Sequence, residues 1–483
     1  MDSLVSRRAF LSRTGVVAGG LALSTPLVAL AARLAAGAQL ETTSRYGPLV
    51  DKGDLWLPRG FNYSVISREG QRMTNGDPTP SRFDGMAAFD KPGRNTVVMR
   101  NHENRSRVGE IVVQETPLHH SVRYDPDPAY NGGVVRLVVQ KDKLLRSEPV
   151  LAGTTHNCAG GSTPWDTWIT CEEVFWPQNP VDHPGALRHG YVFEVGALDD
   201  NPTAAVPIKQ AGRFDHEAVA WVNGALYETE DAGNASFYRY LPQQEPSQAG
   251  DLLASTGPLQ ALVIEGHPRF DTRFRNTWPG GVGASLPVRW VDVPNPDPDR
   301  NGGMNGVRGQ AQALNAAIFA RTEGCWGHDN KVFFDCTTGG TDSLPPSGYG
   351  QIFELDTVAN TLTLLFESPS YEVLLRPDNL VVSPVGDLLI CEDNIGTFDP
   401  KPDPPNFIRG LTSDGMIYPF ARTVTNQSEL CGACFDAEGE VLYVNQQGRP
   451  PMGIPGITYA IWGPWRRSEP PKTKPTPTPT AAP

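Results

Sequence analysis

Three common signatures of enzyme chemistry are absent from this sequence of 483 residues. It has no Gly-x-Ser-x-Gly elbow, no Gly-x4-Gly-Lys-Ser/Thr phosphate loop and no Gly-x-Gly-x-x-Gly dinucleotide fingerprint. Serine catalysis and nucleotide-cofactor chemistry therefore have no local support. A metal-centred hydrolase is left as the leading enzyme class.

Basic residues and long apolar runs are also scarce. The chain has 41 Lys and Arg against 54 Asp and Glu, a formal net charge of −13. Nucleic acids and anionic membrane surfaces carry phosphates that would repel such a chain. After the first forty residues, no stretch approaches the ~18–20 apolar residues that a membrane helix needs. We therefore expect no nucleic-acid partner and no membrane anchor.

The N-terminal residues are typical of an export signal. Arg7 and Arg8 lie in a twin-arginine motif at residues 6–11, followed by an apolar stretch at 16–30 and a small-x-small cleavage site at 36–38. We predict a twin-arginine signal peptide over residues 1–38, read by the twin-arginine translocation machinery. The mature protein is then expected in the periplasm or secreted, and as a monomer.

The seven cysteines are scattered and form no compact disulfide scaffold. Cys431 and Cys434 form a CxxC motif, but no second pair completes a zinc site. Cys171 and Cys391 each precede an acid at a strand end. Because side chains alternate along a strand, we expect these two to behave as small buried hydrophobes, turned away from the face that carries Glu172 and Glu392.

A hairpin unit recurs along the chain. Each copy has a polar or acidic start, an apolar strand, a turn, a second apolar strand and an acidic or amide end. The copies begin near residues 84, 157, 217, 323, 378 and 432. Glycine and proline number 49 and 45, about a fifth of the chain against a usual ~12%, so turns are frequent and long helices few.

These units predict the fold class. About four strands in each ~50-residue period are typical of a β-propeller. We therefore predict an all-β chain, a six-bladed β-propeller over residues 39–465 with a large insertion around 243–312. Residues 466–483 form a Pro/Thr-rich tail that we expect to be disordered.

The polar ends of the hairpins predict a metal site. The first residue of one strand lies beside the last residue of its partner, so the ends of all units meet at one edge around the axis. Carboxylate and amide oxygens suit calcium, and a thiol or imidazole admits a transition metal. The wider set at this edge includes Asp84 and Glu103. The predicted metal ligands are Cys158, Asn157, Glu172, Glu173, His216, Glu217, Glu230, Asp231, Glu323, Asp378, Asn379, Glu392 and Asp393.

Several of these motifs resemble the PhoX family of secreted alkaline phosphatases. The segments that carry the resemblance are 155–161, 168–173, 214–218, 227–231, 377–380 and 391–394. The resemblance covers about residues 60 to 460. It implies a six-bladed propeller that holds an iron pair and calcium ions on its axis and hydrolyses phosphomonoesters.

The resemblance also bears on individual residues. It implies that Cys158 is the iron-ligating cysteine. Where the family usually has Arg-Pro-Glu, this chain has Arg321, Thr322 and Glu323. No motif fixes the substrate-binding arginine, and the candidates are Arg100, Arg321 and Arg376, each of which adjoins a repeat edge.

Two alternatives to a phosphomonoesterase remain at this point. One is a calcium-dependent lactonase-like hydrolase on a similar propeller, and the other is a calcium-binding propeller without turnover. A lactonase needs one calcium and no thiol ligand, so Cys158 discriminates against it.

Overall fold

The computed structural model describes residues 44–91, 95–105, 114–198, 203–301, 303–345, 347–394, 405–424 and 428–466. The predicted signal peptide, and all of the predicted tail after Arg466, lie outside this part of the chain. The regular secondary structure of the described residues is almost entirely β-strand, as predicted. Their α-helices are the short α1 (Asp251–Ala254) and α2 (Val307–Ala313). None of the described helices is long and apolar enough to cross a membrane.

The strands form antiparallel sheets that follow the predicted hairpins. One four-stranded sheet contains β4 (Phe83–Lys91), β5 (Asn95–His102), β6 (Gly132–Gln140) and β7 (Lys143–Thr154). A three-stranded sheet contains β8 (Asn157–Ser162), β9 (Thr167–Glu172) and β10 (Val192–Gly196).

A nine-stranded sheet consists of two runs of strands joined at their outer edges, where residues 285–287 pair with residues 361–363. The first run is β11 (His216–Val222), β12 (Ala225–Glu230), β13 (Tyr238–Tyr240), β14 (Leu259–Ile264) and β15 (Ser285–Asp292). The second is β16 (Thr322–His328), β17 (Lys331–Cys336), β18 (Gln351–Asp356) and β19 (Thr361–Glu367).

The last two sheets combine both ends of the described chain. One contains β20 (Pro377–Val382), β21 (Leu388–Glu392), β22 (Phe407–Leu411), β23 (Ile417–Thr423), β2 (Leu55–Pro58) and β1 (Leu49–Asp51). The other contains β24 (Leu430–Phe435), β25 (Val441–Gln446), β26 (Ile457–Trp462) and β3 (Asn62–Arg68). Because β3 pairs with β26, an early strand completes the sheet formed by the last ones.

The first strands of the six hairpins contact one another in a closed order. β4 contacts β8, and the contacts continue through β11, β16, β20 and β24 back to β4. Apolar clusters fill the space between adjacent units; Trp168 and Phe193 pack against Val97, for example, between the first two. Burial of these side chains is the main favourable term holding neighbouring units together.

The predicted insertion at 243–312 is not purely loop and helix. β14 and β15 lie within it and extend the sheet of the third hairpin outwards. The helix α2 lies at the end of this region and extends to Ala313. Strand-forming residues such as Leu262 and Val263 are buried there, so packing against the sheet accounts for the difference.

Candidate metal centre

One irregularity recurs near the start of all six hairpins. The antiparallel register shifts within the first strand of each one. A bulge of this kind re-aims side chains and commonly lies beside functional sites. The second residue of each first strand lies at this register shift. We call these six residues the ring: Asp84, Cys158, Glu217, Glu323, Asp378 and Cys431.

The small residues that follow this ring let the strands approach one another. A Cβ added at Gly85 would lie 2.4 Å from the Cα of Ala159, and one at Gly324 would lie 2.4 Å from the carbonyl oxygen of Asp378. Larger side chains at these glycines would push neighbouring units apart. The close approach therefore brings the ring residues of successive hairpins together.

The second strands contribute another position. The first residue after each second strand donates its backbone N–H to the carbonyl of the residue just before the same hairpin. The six hydrogen bonds run from Glu103 to Arg82 at 2.9 Å, Glu173 to His156 at 2.9 Å, Asp231 to Asp215 at 3.1 Å, Thr337 to Arg321 at 3.0 Å, Asp393 to Arg376 at 2.9 Å and Gln447 to Glu429 at 3.2 Å. The hairpin ends are thereby closed by one repeated hydrogen bond. It places both ends of every unit at the same edge.

All of these positions except Cys431 and Thr337 line one polar cavity of about 60 Å³. Nine carboxyl groups, one thiol and only two guanidinium groups line it. The lining residues are Asp84, Glu103, Arg105, Cys158, Glu173, Glu217, Asp231, Arg321, Glu323, Asp378, Asp393, Glu429 and Gln447.

Three groups of ligand atoms around this edge are close enough to share an ion. Within each group the ligand atoms lie within 4.8 Å of one another: Cys158, Glu173 and Glu217; Glu217, Glu323 and Asp378; Asp84, Glu429 and Cys431. Two ionised carboxylates at such a distance repel by about 3 kcal/mol at an effective dielectric constant of about 20. A bound cation would remove this repulsion, so the donor set fits metal ions.

The electrostatics of the metal-free cavity show the same crowding. Burial, and then the neighbouring acids, raise the pKa of Glu217 and of Asp378 well above the usual range. Burial also opposes ionisation of Asp231, but the Arg321 guanidinium outweighs it and lowers the pKa of that carboxyl. The Oδ1 atom of Asp393 is buried and accepts no hydrogen bond from any described residue.

The cavity contains eight of the sequence-predicted site residues. The eighth is Arg321, and the other seven are predicted ligands. These ligands are Cys158, Glu173, Glu217, Asp231, Glu323, Asp378 and Asp393. Arg321 bonds both oxygens of Asp231, at 2.7 and 2.8 Å, and contacts Glu323 at 2.6 Å.

Three predicted acids lie outside the cavity, each directly before one that lines it. Glu172 accepts hydrogen bonds from the backbone of Gly190 at 2.9 Å, and Glu230 accepts one from the Tyr238 hydroxyl at 2.9 Å. Glu392 is bonded by Arg409 at 2.8 Å. Consecutive side chains of an extended chain point to opposite sides. Only the second acid of each pair therefore reaches the cavity, whereas the sequence pattern predicts the first acids on that face as well.

Asn157, His216 and Asn379 are also held elsewhere. Asn157 accepts a hydrogen bond from Thr154 at 2.7 Å and donates one to Thr170. The His216 ring lies 3.0 Å from a carboxylate oxygen of Glu228. Asn379 accepts the backbone N–H of Gly432 at 2.6 Å, which links two neighbouring units. All three flank the ring position in their strands, and alternation turns them into the protein.

The other two candidate arginines do not line the cavity. Arg100 is fully buried, donates to Thr458 at 2.8 Å and stacks over the Phe83 ring. Arg376 is half-buried, and its carbonyl closes the fifth hairpin.

Sequence reasoning missed several lining residues. Arg105, Glu429 and Gln447 were not predicted, and Asp84 and Glu103 were not among the predicted ligands. Glu429 precedes Cys431 by two residues, as Arg321 precedes Glu323, so the repeat alignment carried a signal for it. Arg105 follows Glu103 by two residues and bonds both of its oxygens, at 2.7 and 2.9 Å.

All seven cysteines are buried and unpaired. Cys171 and Cys391 lie in apolar clusters and do not line the cavity, in agreement with their expected role as small hydrophobes. The thiol of Cys158 instead lies among carboxylates.

Comparisons with known structures show what this chain is similar to. The PhoX of Pseudomonas fluorescens, solved in complex with vanadate, a transition state analogue, has a TM-score of 0.66 and 17% identity, with 86% of this chain and 97% of that one covered. A protein of unknown function from Dyadobacter fermentans (TM-score 0.39, 11% identity, 84% and 99% covered) and the WD40 β-propeller domain of Doa1 (TM-score 0.38, 7% identity, 82% and 97% covered) are more distant.

The family comparison covers most of the chain. No curated protein sequence matches it. The family model described as "Alkaline phosphatase PhoX" matches residues 44–148 and 139–449. This region contains the six hairpins up to Gln447 and every residue that lines the cavity. The chain therefore belongs to the PhoX family of alkaline phosphatases.

Proposed function

We propose that this chain hydrolyses phosphomonoesters at a centre of iron and calcium ions held in the axial cavity. The observation that carries the proposal is the convergence of nine carboxyl groups and a thiol on one cavity with only two guanidinium groups. Without cations, such a cavity would repel a phosphate dianion. The family match agrees with the phosphatase activity.

The donor atoms favour different ions at different positions. Glu217, Glu323 and Asp378 offer only oxygen and suit calcium. Cys158 offers sulfur beside Glu173 and Glu217, which suits a transition metal such as iron. When bound, the ions would supply positive charge to the phosphate oxygens and to the leaving oxygen.

Arg321 is the arginine best placed to bind phosphate. Its Nε and Nη2 groups are held by Asp231 and Glu323. Its Nη1 group bonds no acceptor among the described residues, which leaves two N–H donors for phosphate oxygens. Arg105 is anchored in the same way, through Nε and Nη2, by Glu103. The chain's own contribution is thus to orient two guanidinium groups in the lining of the cavity.

Substitution of two matched arginines tests this assignment. Arg321 and Arg376 each precede a ring carboxylate by two residues and share a left-handed backbone, with φ of 53° and 51°. Arg321→Lys should lower kcat/KM for 4-nitrophenyl phosphate by about 10- to 100-fold, because lysine cannot form the bidentate contacts. Arg376→Lys should stay within about threefold of wild type. Equal losses in the two variants would contradict the role of Arg321.

The same proposal extends to the architecture. The six hairpin units are the blades of a β-propeller around the cavity. Support comes from the closed order of contacts from β4 to β24 and back, and from the pairing of β3 with β26. An experimental structure with a number of blades other than six would contradict it.

Export and assembly complete the proposal. The mature protein is monomeric and lies in the periplasm or is secreted, carried there by the twin-arginine route. The thiol of Cys158 in the cavity favours the phosphatase over a lactonase with a single calcium.

A further inference from the structure

His189 and Glu172 form a buried pair to which the proposed function gives no role. Neither side chain has any exposed surface, and neither lines the cavity. The Nδ1 atom of His189 lies 2.7 Å from Oε1 of Glu172, and its Nε2 atom lies 3.4 Å from Oδ2 of Asp125. The Tyr130 ring stacks on the imidazole, with the ring centroids 4.2 Å apart. These contacts fix the orientation of the imidazole, so that its Nδ1 atom faces Glu172.

Glu172 connects two segments of the second unit. Its Oε1 atom accepts the backbone N–H of Thr155 at 3.2 Å, and its Oε2 atom accepts that of Gly190 at 2.9 Å. Thr155 lies just before β8, and Gly190 lies just before β10. A buried carboxylate is stable only when such partners compensate its lost hydration. The contact with His189 therefore supports both of these backbone connections.

The same contacts continue into the third unit. The carbonyl of His189 accepts a hydrogen bond from Nε of Arg213 at 3.0 Å. The carbonyl of Gly190 accepts the backbone N–H of Phe214 at 3.1 Å and lies 3.2 Å from Nδ1 of His216. His216 is the first residue of β11. Residues 189 and 190 thus join the second unit to the start of the third.

The ends of this network adjoin one of the three groups of ligand atoms. Three network residues lie one to three positions before a member of that group: Thr155 before Cys158, Glu172 before Glu173, and His216 before Glu217. The ligand atoms of the group lie within 4.8 Å of one another. Because so few residues separate the network from the ligands, a displaced network would change the spacing of the ligand atoms.

We propose that His189 is a positioning residue, which acts through Glu172 to hold Cys158, Glu173 and Glu217 at the spacing that a metal ion needs. This inference rests on the proposed metal-dependent function. His189 would not touch the ion itself. Groups that orient metal ligands from behind commonly contribute about 10- to 100-fold to metal affinity.

The fifth unit offers a matched control. Glu392 accepts the backbone N–H groups of Leu375 at 3.1 Å and Phe407 at 3.0 Å, and it is bonded by Nε of Arg409 at 2.8 Å. These are the same kinds of contact that Glu172 makes, with Arg409 in place of His189. None of the residues in this network lies next to Cys158, Glu173 or Glu217 in the sequence. Loss of Arg409 should therefore destabilise the fold without disturbing that group.

Three variants test the role of His189. His189→Leu, His189→Asn and Arg409→Leu are purified as full chains with their metals. Iron affinity is measured by competition with a chelator, and the thiolate-to-iron absorption band is recorded. His189→Leu should bind iron about 10- to 100-fold more weakly and shift the band. His189→Asn should recover most of the affinity, because its amide can donate to Glu172.

Arg409→Leu should keep the iron affinity and the band of wild type even where its melting temperature falls as far as that of His189→Leu. The same iron affinity and band in His189→Leu as in Arg409→Leu would overturn the proposal. A His189→Asn variant with no more affinity than His189→Leu would overturn it as well.

A milder variant covers the case in which His189→Leu does not fold. Glu172→Gln keeps the shape of the side chain but removes the charge, so it weakens the contact with His189 without leaving a cavity. Its iron affinity should also fall below that of wild type. An unchanged affinity in Glu172→Gln would overturn the proposal.

The two proposals fail in different ways. A wild type that binds iron but has no phosphomonoesterase activity would refute only the proposed function. An active enzyme whose His189→Leu variant binds iron as tightly as wild type would refute only the role of His189.

Discussion

The crowded carboxylates predict an unusual effect of Glu323→Gln, which depends on whether metal is bound. Burial raises the pKa of Glu323 from 4.5 to about 7, even though the Arg321 guanidinium beside it acts in the opposite direction. A carboxyl with a raised folded pKa holds its proton more tightly in the native state. Stability is therefore lost as the pH rises from about 4.5 to about 7.

The magnitude follows from the size of this shift. It corresponds to about 3 kcal/mol. Above pH 7, the unfolding free energy of the metal-free wild type is lower by about this amount than it would be with a neutral side chain at position 323. Glutamine has nearly the same shape and no charge. Metal-free Glu323→Gln should therefore be more stable than metal-free wild type at pH 8, by up to this amount, and the difference should shrink towards pH 5.

Metal binding should reverse the order of stability of wild type and variant. The variant has lost an anionic ligand, so it binds its ions more weakly and gains less stability from them. Loaded Glu323→Gln should therefore melt below loaded wild type.

Thermal unfolding followed by circular dichroism tests both parts. Wild type and variant are compared with and without metal, at pH 5 and pH 8. Glu245 is exposed and outside the cavity, so Glu245→Gln is the control and should leave every melting temperature unchanged. A metal-free Glu323→Gln that melts below metal-free wild type at pH 8 would contradict the expected order of stability, as would a loaded variant as stable as loaded wild type.

Two further predictions concern neighbouring acids and export. Asp393→Asn should reduce both metal content and activity. Glu392→Gln should retain its metals but lose about 3 kcal/mol of stability, because Arg409 is left buried without its partner. Metal analysis and thermal unfolding of the two variants check this, and equal metal loss in both would contradict it. Arg7→Lys combined with Arg8→Lys should leave the folded protein in the cytoplasm, and cell fractionation that finds normal export would contradict the predicted route.

The fold was largely predictable because its signals are local. Apolar alternation and turn residues mark each hairpin, so the unit predicted to begin near residue 217 agrees with the hairpin of β11 and β12. The strands inside the insertion were missed because β14 and β15 are recruited by pairing with the third unit's sheet, a contact distant in sequence.

The cavity was predicted in outline but not in detail. Acids at both ends of repeated hairpins predicted a polar edge. The choice between Glu172 and Glu173, or between Glu392 and Asp393, depends on where each strand ends relative to its register shift. That shift has no sequence signature of its own, and a displacement of one residue reverses the face that a side chain occupies.

The phosphomonoesterase activity of wild type purified with its metals is the most direct test of the central claim. Release of phosphate from 4-nitrophenyl phosphate is measured for the loaded protein, after chelation, and after iron and calcium are restored. We expect hydrolysis by the loaded protein, loss of activity on chelation and recovery only when both metals return. A loaded protein that releases no phosphate, or one that keeps full activity after every metal has been removed, would contradict it.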